Sequence, residues 1–99
     1  MKKKVSIIVI HYNQSEYVKI ALDSVFQQSY KEIELIFADD ASDDIDLNDL
    51  KKYCQRKNVN KMKIVWQINS TNLGTVKSLN QALTKCTGDY VLIFAADDK

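Results

Sequence analysis

The chain has 99 residues, 45% of them hydrophobic and 27% charged, with a formal net charge of +1. That length is enough for one hydrophobic core and too little for two substrate-binding lobes. Charge this close to balance excludes an electrostatic case for nucleic acid or an acidic membrane surface as the partner.

Val5–Ile10 (VSIIVI) is a near-continuous β-branched run, which predicts a strand buried on both faces of a parallel sheet. Asn13 or Ser15 can cap a helix running to about Gln28, because Val18, Ala21, Leu22, Val25 and Phe26 recur at helical spacing. Ile33–Ala38 (IELIFA) is a second strand, ending at Asp39-Asp40. The polar stretch Ser42–Asp46 turns into a helix over about Leu47–Lys57, with Leu50, Tyr53 and Cys54 facing inward. Lys63–Ile68 (KIVWQI) alternates loosely and reads as a third strand near an edge. After the polar loop Asn69–Gly74, a helix over about Thr75–Lys85 carries Val76, Leu79, Ala82, Leu83 and Cys86 as its packing stripe. Gly88 suits a left-handed helix-closing position, and Tyr90–Ala95 (YVLIFA) is the fourth strand. The order β-α-β-α-β-α-β with short connections predicts a single α/β domain. It is a Rossmann-like, doubly wound parallel sheet, with strand order 3-2-1-4 expected.

The remaining composition bears on compartment and completeness. The two cysteines, Cys54 and Cys86, form no CxxC pair and read as small apolar residues in a reducing cytosol. Lys2–Lys4 is a solvated basic start, and the apolar run after it is too short for a signal peptide or for the roughly 18 residues of a bilayer span. A cytoplasmic location is expected, with peripheral attachment to the inner membrane face open for the intact protein. Proline is absent, and the chain stops at Asp97-Asp98-Lys99 directly after an apolar run with no helix to cover it. We therefore expect a truncated polypeptide.

Open parallel sheets bind ligands beyond the carboxyl ends of their strands, where strand order reverses. The residues placed there are His11, Tyr12 and Asn13; Asp39 and Asp40; the loop Asn69–Gly74; and Asp97 and Asp98. Adjacent carboxylates repel unless solvated, protonated or neutralised, so Asp97-Asp98 is either an exposed acidic turn or a ligand pair for Mg²⁺ or Mn²⁺ on a diphosphate. Asp39 can cap the turn that follows it. Asp40 is either solvated or an acceptor for an N–H on a nucleobase edge. Tyr12 is either an aromatic at the core's edge or a base-stacking platform. Lys77 is within reach of a phosphate, with a solvated lysine as the alternative. Asn80 shares the apolar helix face and is expected to point inward, in a structural role such as bonding a loop backbone near the site, with ligand contact as the alternative. His11, with no orienting partner in view, is not assigned to catalysis.

Together these segments resemble the family-two glycosyltransferases. VSIIVIHYN (Val5–Asn13) is similar to that family's opening strand, which usually ends Pro-Thr/Ser-Tyr-Asn. SVFQQSY (Ser24–Tyr30) resembles its Ser-Val-Leu-x-Gln-Thr-Tyr, and IELIFADDASDD (Ile33–Asp44) its Ile-Glu-Ile-Ile-Val-Val-Asp-Asp-Gly-Ser-Thr-Asp. NLGTVKSLN (Asn72–Asn80) resembles its Asn-x-Gly loop followed by Arg-Asn, and GDYVLIFAADD (Gly88–Asp98) its Gly-Asp-Tyr-Ile-x-Phe-Leu-Asp-Ala-Asp-Asp. The resemblance implies a GT-A fold, a UDP-linked sugar donor, Mn²⁺ or Mg²⁺, inversion at the anomeric carbon and a role in polysaccharide biosynthesis. By position, Tyr12 would stack on the base, Asp40 would contact the uracil edge, and Asp97 and Asp98 would contact ribose and metal. The acceptor, a saccharide or lipid-linked saccharide, and the catalytic base belong to the part beyond Lys99. Three departures stand out: Ile10-His11 in place of Pro-Thr/Ser, Ala95 where the first Asp of Asp-x-Asp is common, and Leu79 where arginine is usual.

Rival readings are weaker. A phospho-receiver needs a phospho-acceptor Asp after another strand and a lysine after a fifth. A dinucleotide oxidoreductase needs GxGxxG after the first strand. A non-catalytic nucleotide-binding or assembly fragment is the serious alternative, since the piece is expected to be inactive alone. Ending at Lys99 would leave the apolar fourth strand with a bare edge, which predicts a homodimer joined through it.

Overall fold

The computed structural model describes residues 3–95. Its elements are β1 (Val5–His11), α1 (Ser15–Phe26), β2 (Ile33–Asp39), α2 (Leu47–Lys57), β3 (Lys63–Ile68), α3 (Thr75–Lys85) and β4 (Tyr90–Ala95). The strands form one sheet in the order β3-β2-β1-β4, with every pairing parallel. β1 and β2 are the two middle strands: β2 is buried along its whole length and β1 from Ser6 onward, while the wholly apolar β4 lies at the edge.

Alternation along the strands divides the core into two layers. Ile7, Val9, Leu35 and Phe37 face one way and pack with Val18, Leu22, Val25 and Phe26 of α1 and Leu50 and Cys54 of α2. Ile8, Ile10, Ile36 and Ala38 face the other way, under Ala82, Leu79 and Cys86. Helices thus cover both faces, as a doubly wound sheet requires. Both cysteines are free, and burial pushes the Cys54 thiol up to about 11, so it packs and does not react. Among the described residues no helix is long and apolar enough to cross a membrane.

Several local expectations are corrected. The N-cap of α1 is Gln14, which makes no side-chain cap bond. Neither Asn13 nor Ser15 caps; the helix's first N–H, that of Ser15, donates instead to Asp44 Oδ2 at 3.0 Å. The helix ends at Phe26, short of Gln28. On α3 the inward face is rotated: Val76 is 71% exposed and Leu83 40%, whereas Ser78 and Ala82 are buried. Polar anchors set this rotation. Gln67 Nε2 donates to the Ser78 carbonyl at 3.0 Å and Asn69 Nδ2 to Ser78 Oγ at 2.9 Å. Asn80, expected inward, is therefore exposed.

Gly88 is not left-handed; of the described glycines only Gly74 has a positive φ, 90°. Gly88 is needed for close approach, because a Cβ there would lie 2.7 Å from Ser6 N and Oγ and 2.9 Å from the Lys4 carbonyl. This contact belongs to a buried polar clamp at the amino end of the sheet. Glu34 Oε2 accepts from Ser6 Oγ at 2.6 Å and from the Thr87 N–H at 2.6 Å, and Oε1 accepts from Thr87 Oγ1 at 2.9 Å. Lys4 Nζ lies 3.3 Å from Oε1. Burial alone would raise the Glu34 carboxyl, but these hydrogen bonds outweigh it and hold it down at about 2.

Candidate nucleotide-binding site

From β1 the chain winds outward to β2 and β3, then crosses back to β4, so strand order reverses between β1 and β4. The crevice expected from topology lies beyond the carboxyl ends of these strands.

His11 is the last residue of β1 and pairs in register with Asp39, the last of β2. It is 1% exposed. Its Nδ1 lies 2.8 Å from Asp39 Oδ1, and its Nε2 accepts the Gln14 N–H at 3.0 Å. Burial would raise Asp39, but the bond from His11 and the hydroxyl and N–H of Ser42 hold its carboxyl below the ordinary aspartate value. Asp39 Oδ2 accepts the Ser42 N–H at 3.0 Å, so the expected capping of the following turn is realised. Two loops are braced across the strand ends. Asn13 N–H donates to Ser42 Oγ at 2.9 Å, and Asn13 Oδ1 accepts the Asp43 N–H at 3.0 Å. Both loops contain a left-handed residue without being glycine, Asn13 at φ 49° and Ala41 at φ 63°. Tyr12, next to Asn13 in the first of these loops, is 44% exposed.

Asp40 is buried, not solvated, at 3% exposure. Its Oδ1 accepts from Asn69 Nδ2 at 3.0 Å and the Leu73 N–H at 2.7 Å, and its Oδ2 from the Gly74 N–H at 2.9 Å. Burial pushes its carboxyl up, yet these donors together with the Ser78 hydroxyl hold it below the ordinary value. Asp40 thus ties the Asn69–Gly74 loop and the start of α3 to the end of β2. A carboxylate has about four acceptor positions, and this chain's own donors fill them.

Lys77 stands exposed on the first turn of α3, the helix whose N-cap is Gly74. Ala95, the last described residue, pairs with Ile10 beside the crevice. Asp97 and Asp98 lie outside the described residues. Among the described residues no three His, Cys, Asp or Glu side chains are placed to hold a metal ion. A depression of about 440 Å³ between α2 and β3, lined by Lys51, Gln55, Asn58 and Trp66, shares no residue with the crevice.

Sequence reasoning found the strand-end positions but missed two connections: the His11–Asp39 pair and the hold of Asp40 on the loop. The first joins two residues that each follow a six-residue apolar-rich run, but the register that sets them side by side comes from the sheet. The second joins residues more than 30 apart through a loop whose path the sequence does not fix.

With this geometry in place, comparison with known proteins gives the family. The sequence profile described as Glycosyl transferase family 2 matches residues 6–99, and the chain belongs to that family. It is 38% identical over 95 residues to EpsE of Bacillus subtilis, a protein assigned by name to the glycosyltransferases, covering 96% of this chain and 33% of that protein. It is 32% identical to the amylovoran biosynthesis glycosyltransferase AmsB of Erwinia amylovora, covering 95% of this chain and 31% of that one. Among solved structures, the Pyrobaculum calidifontis mannosyltransferase PcManGT in complex with GDP-Man and Mn²⁺ superposes with a TM-score of 0.85 at 25% identity, over 98% of this chain and 28% of that chain. Staphylococcus aureus TarS (residues 1–349) in complex with UDP gives 0.80 at 32% identity, over 95% and 27%. The expected strand order and α/β fold match these GT-A glycosyltransferases. The chain spans about a third or less of the length of these curated relatives.

Proposed function

We propose that this chain is the donor-binding portion of an inverting, metal-dependent glycosyltransferase that takes a nucleotide-diphosphate sugar, UDP-linked in preference. The observation that carries the reading is the placement of an exposed Tyr12 on a braced turn at the carboxyl end of β1, at the strand-order reversal. Tyr12 offers its ring face to the base. Asp40 shapes the adjoining loop, and it bonds the base edge directly only if one of its internal donors, such as the Ser78 hydroxyl, yields. Lys77 stands on the phosphate side. The carboxylates of Asp97 and Asp98 are hard oxygen donors suited to Mn²⁺ or Mg²⁺, with Asp97 also the ribose contact. A bound cation there would supply neutralisation of the diphosphate charge.

In the whole protein, a carboxylate outside this chain takes the proton of an acceptor hydroxyl on a saccharide or lipid-linked saccharide. The new bond from that oxygen to the anomeric carbon forms as the bond to the diphosphate oxygen breaks, which inverts the centre. No residue of this chain is assigned as that base, and the part these residues play is to bind the donor. GDP-Man in PcManGT and UDP in TarS bear on donor chemistry of this class.

Calorimetric titration with UDP, GDP and ADP, each with Mn²⁺ or a chelator, tests the reading. If Asp40 releases an internal donor to meet the base, UDP should bind more tightly than ADP, because an Asp acceptor matches uracil N3–H while adenine N1 is itself an acceptor. Mn²⁺ should strengthen binding, Asp98→Ala should remove that gain, and Tyr12→Ala should weaken all nucleotides. Equal UDP affinity with metal and with chelator would sink the metal assignment.

A further inference from the structure

We propose that His11 is a positioning residue of the nucleotide site, which in its neutral Nδ1–H form fixes the turn that presents Tyr12. The inference rests on the reading of the strand-end crevice as a nucleotide site, and it adds a role for the residue that replaces the family's Thr or Ser.

The argument begins with hydrogen-bond direction. The backbone N–H of Gln14 can only donate, and its partner is His11 Nε2 at 3.0 Å. That nitrogen therefore carries a lone pair and no proton. The neutral ring then has its proton on Nδ1, where Asp39 Oδ1 receives it at 2.8 Å, with Ser42 Oγ a second neighbour at 3.0 Å that gives its own hydrogen to Asp39. Asp39 is itself held by the Ser42 N–H at 3.0 Å. The other two forms fit badly. A doubly protonated ring sets Nε2–H against the Gln14 N–H. The Nε2–H tautomer does the same and also turns a lone pair toward the Asp39 carboxylate. The Ser42 hydroxyl could serve a bare Nδ1, but only the Nδ1–H form gives the Gln14 N–H its acceptor and the Asp39 carboxylate a donor from the ring. The ring is further fixed by stacking on Phe37, with centroids 6.0 Å apart and planes 26° from parallel.

The bond from Nε2 to Gln14 closes a loop around Tyr12 and Asn13. Asn13 sits at φ 49°, a conformation that persists where surrounding contacts over-determine it. The contacts that do so are His11 from within the turn, and Ser42 and Asp43 from the facing loop. The charged group bonded to His11 is Asp39 on β2; the facing loop also carries Asp43, whose N–H donates to Asn13 Oδ1, and Asp44, bonded to the Ser15 N–H. His11 contacts no substrate in this account; it acts through the turn.

The test combines ring ¹⁵N NMR with two variants of the full chain. His11→Gln keeps an acceptor at the ε position and loses the donor to Asp39. His11→Asn keeps a donor at the δ position and loses the acceptor for Gln14. We expect the Nδ1–H signature in the wild type. We expect slow exchange of the Gln14 amide in the wild type and His11→Gln but not in His11→Asn. UDP affinity should stay within about twofold in His11→Gln and fall about tenfold in His11→Asn, with similar thermal midpoints for both. A purely structural role would move both variants together, in proportion to stability. An Nε2–H tautomer, a charged ring at neutral pH, or equal affinity in the two variants would overturn the proposal. If the wild type binds no UDP, the nucleotide reading fails, and the tautomer and the Gln14 amide then decide this one alone.

Discussion

Ala41 holds φ 63° at the position where the family pattern carries glycine. A Cβ in the left-handed region costs roughly 1–2 kcal/mol. Replacing it with glycine recovers that cost but adds freedom to the unfolded chain, roughly 0.4–1 kcal/mol. Ala41→Gly should therefore stabilise by about 0.5–1 kcal/mol in urea denaturation, and a destabilised variant would show that the turn does not hold this backbone. Glu34 carries a pH prediction. Its carboxyl is harder to protonate in the folded chain, at about 2, than at its ordinary 4.5. Its stabilising contribution is therefore complete above about 4.5 and disappears as pH falls through about 2. Converted at about 1.4 kcal/mol per unit, this amounts to roughly 3 kcal/mol. The stability gap between wild type and Glu34→Gln should narrow by about that amount between about pH 5 and about pH 2. A gap that does not change with pH would remove the charge from the account. Asp39 and Asp40 shift in the same direction and add to the acid sensitivity of both proteins.

At the scale of elements, α3 and β4 are placed by polar contacts as much as by apolar ones. The buried side of α3 contributes Ala82 and Ser78, and its larger residues Val76 and Leu83 face outward. Its start is tied to β2 through Asp40 and the N–H groups of Leu73 and Gly74. Asp40→Asn keeps one acceptor oxygen and loses the charge, so it should loosen the start of α3. The expected cost is about 1–3 kcal/mol, with faster amide exchange at Leu73 and Gly74. Unchanged exchange there would contradict the role given to this carboxylate. β4 enters the sheet where Thr87 and Gly88 meet Glu34 and Ser6, a contact that leaves no room for a side chain at 88.

At the scale of the molecule, β4 pairs with β1 on one side, and Tyr90, Val91, Leu92 and Ile93 are 58%, 38%, 50% and 47% exposed. An apolar edge of this kind is a template for strand pairing. We predict that chain 1–99 self-associates, most simply as a two-fold dimer joining β4 strands antiparallel into a continuous sheet. Sedimentation at several concentrations measures this, and Leu92→Lys, which puts charge on the edge, should shift the equilibrium to monomer. A strictly monomeric wild type at high concentration would refute the dimer and leave the family membership intact.

The sequence by itself determined the fold class, the order of elements and the positions of the strand ends. These depend on local periodicity and on the rule that apolar β-branched runs occupy the middle of a parallel sheet. It also fixed the family, because matching segments recur in order along the chain. The tertiary structure decided what the polar residues do. His11 gained an orienting partner because the β1–β2 register sets it beside Asp39. Asp40 turned inward to hold a loop, Asn80 turned outward, and Gly88 proved to be a matter of space and not of backbone handedness. A hydrogen bond needs its partners within about 3 Å and correctly aimed, so its assignment waits on the register and helix rotation that only packing of the whole core supplies.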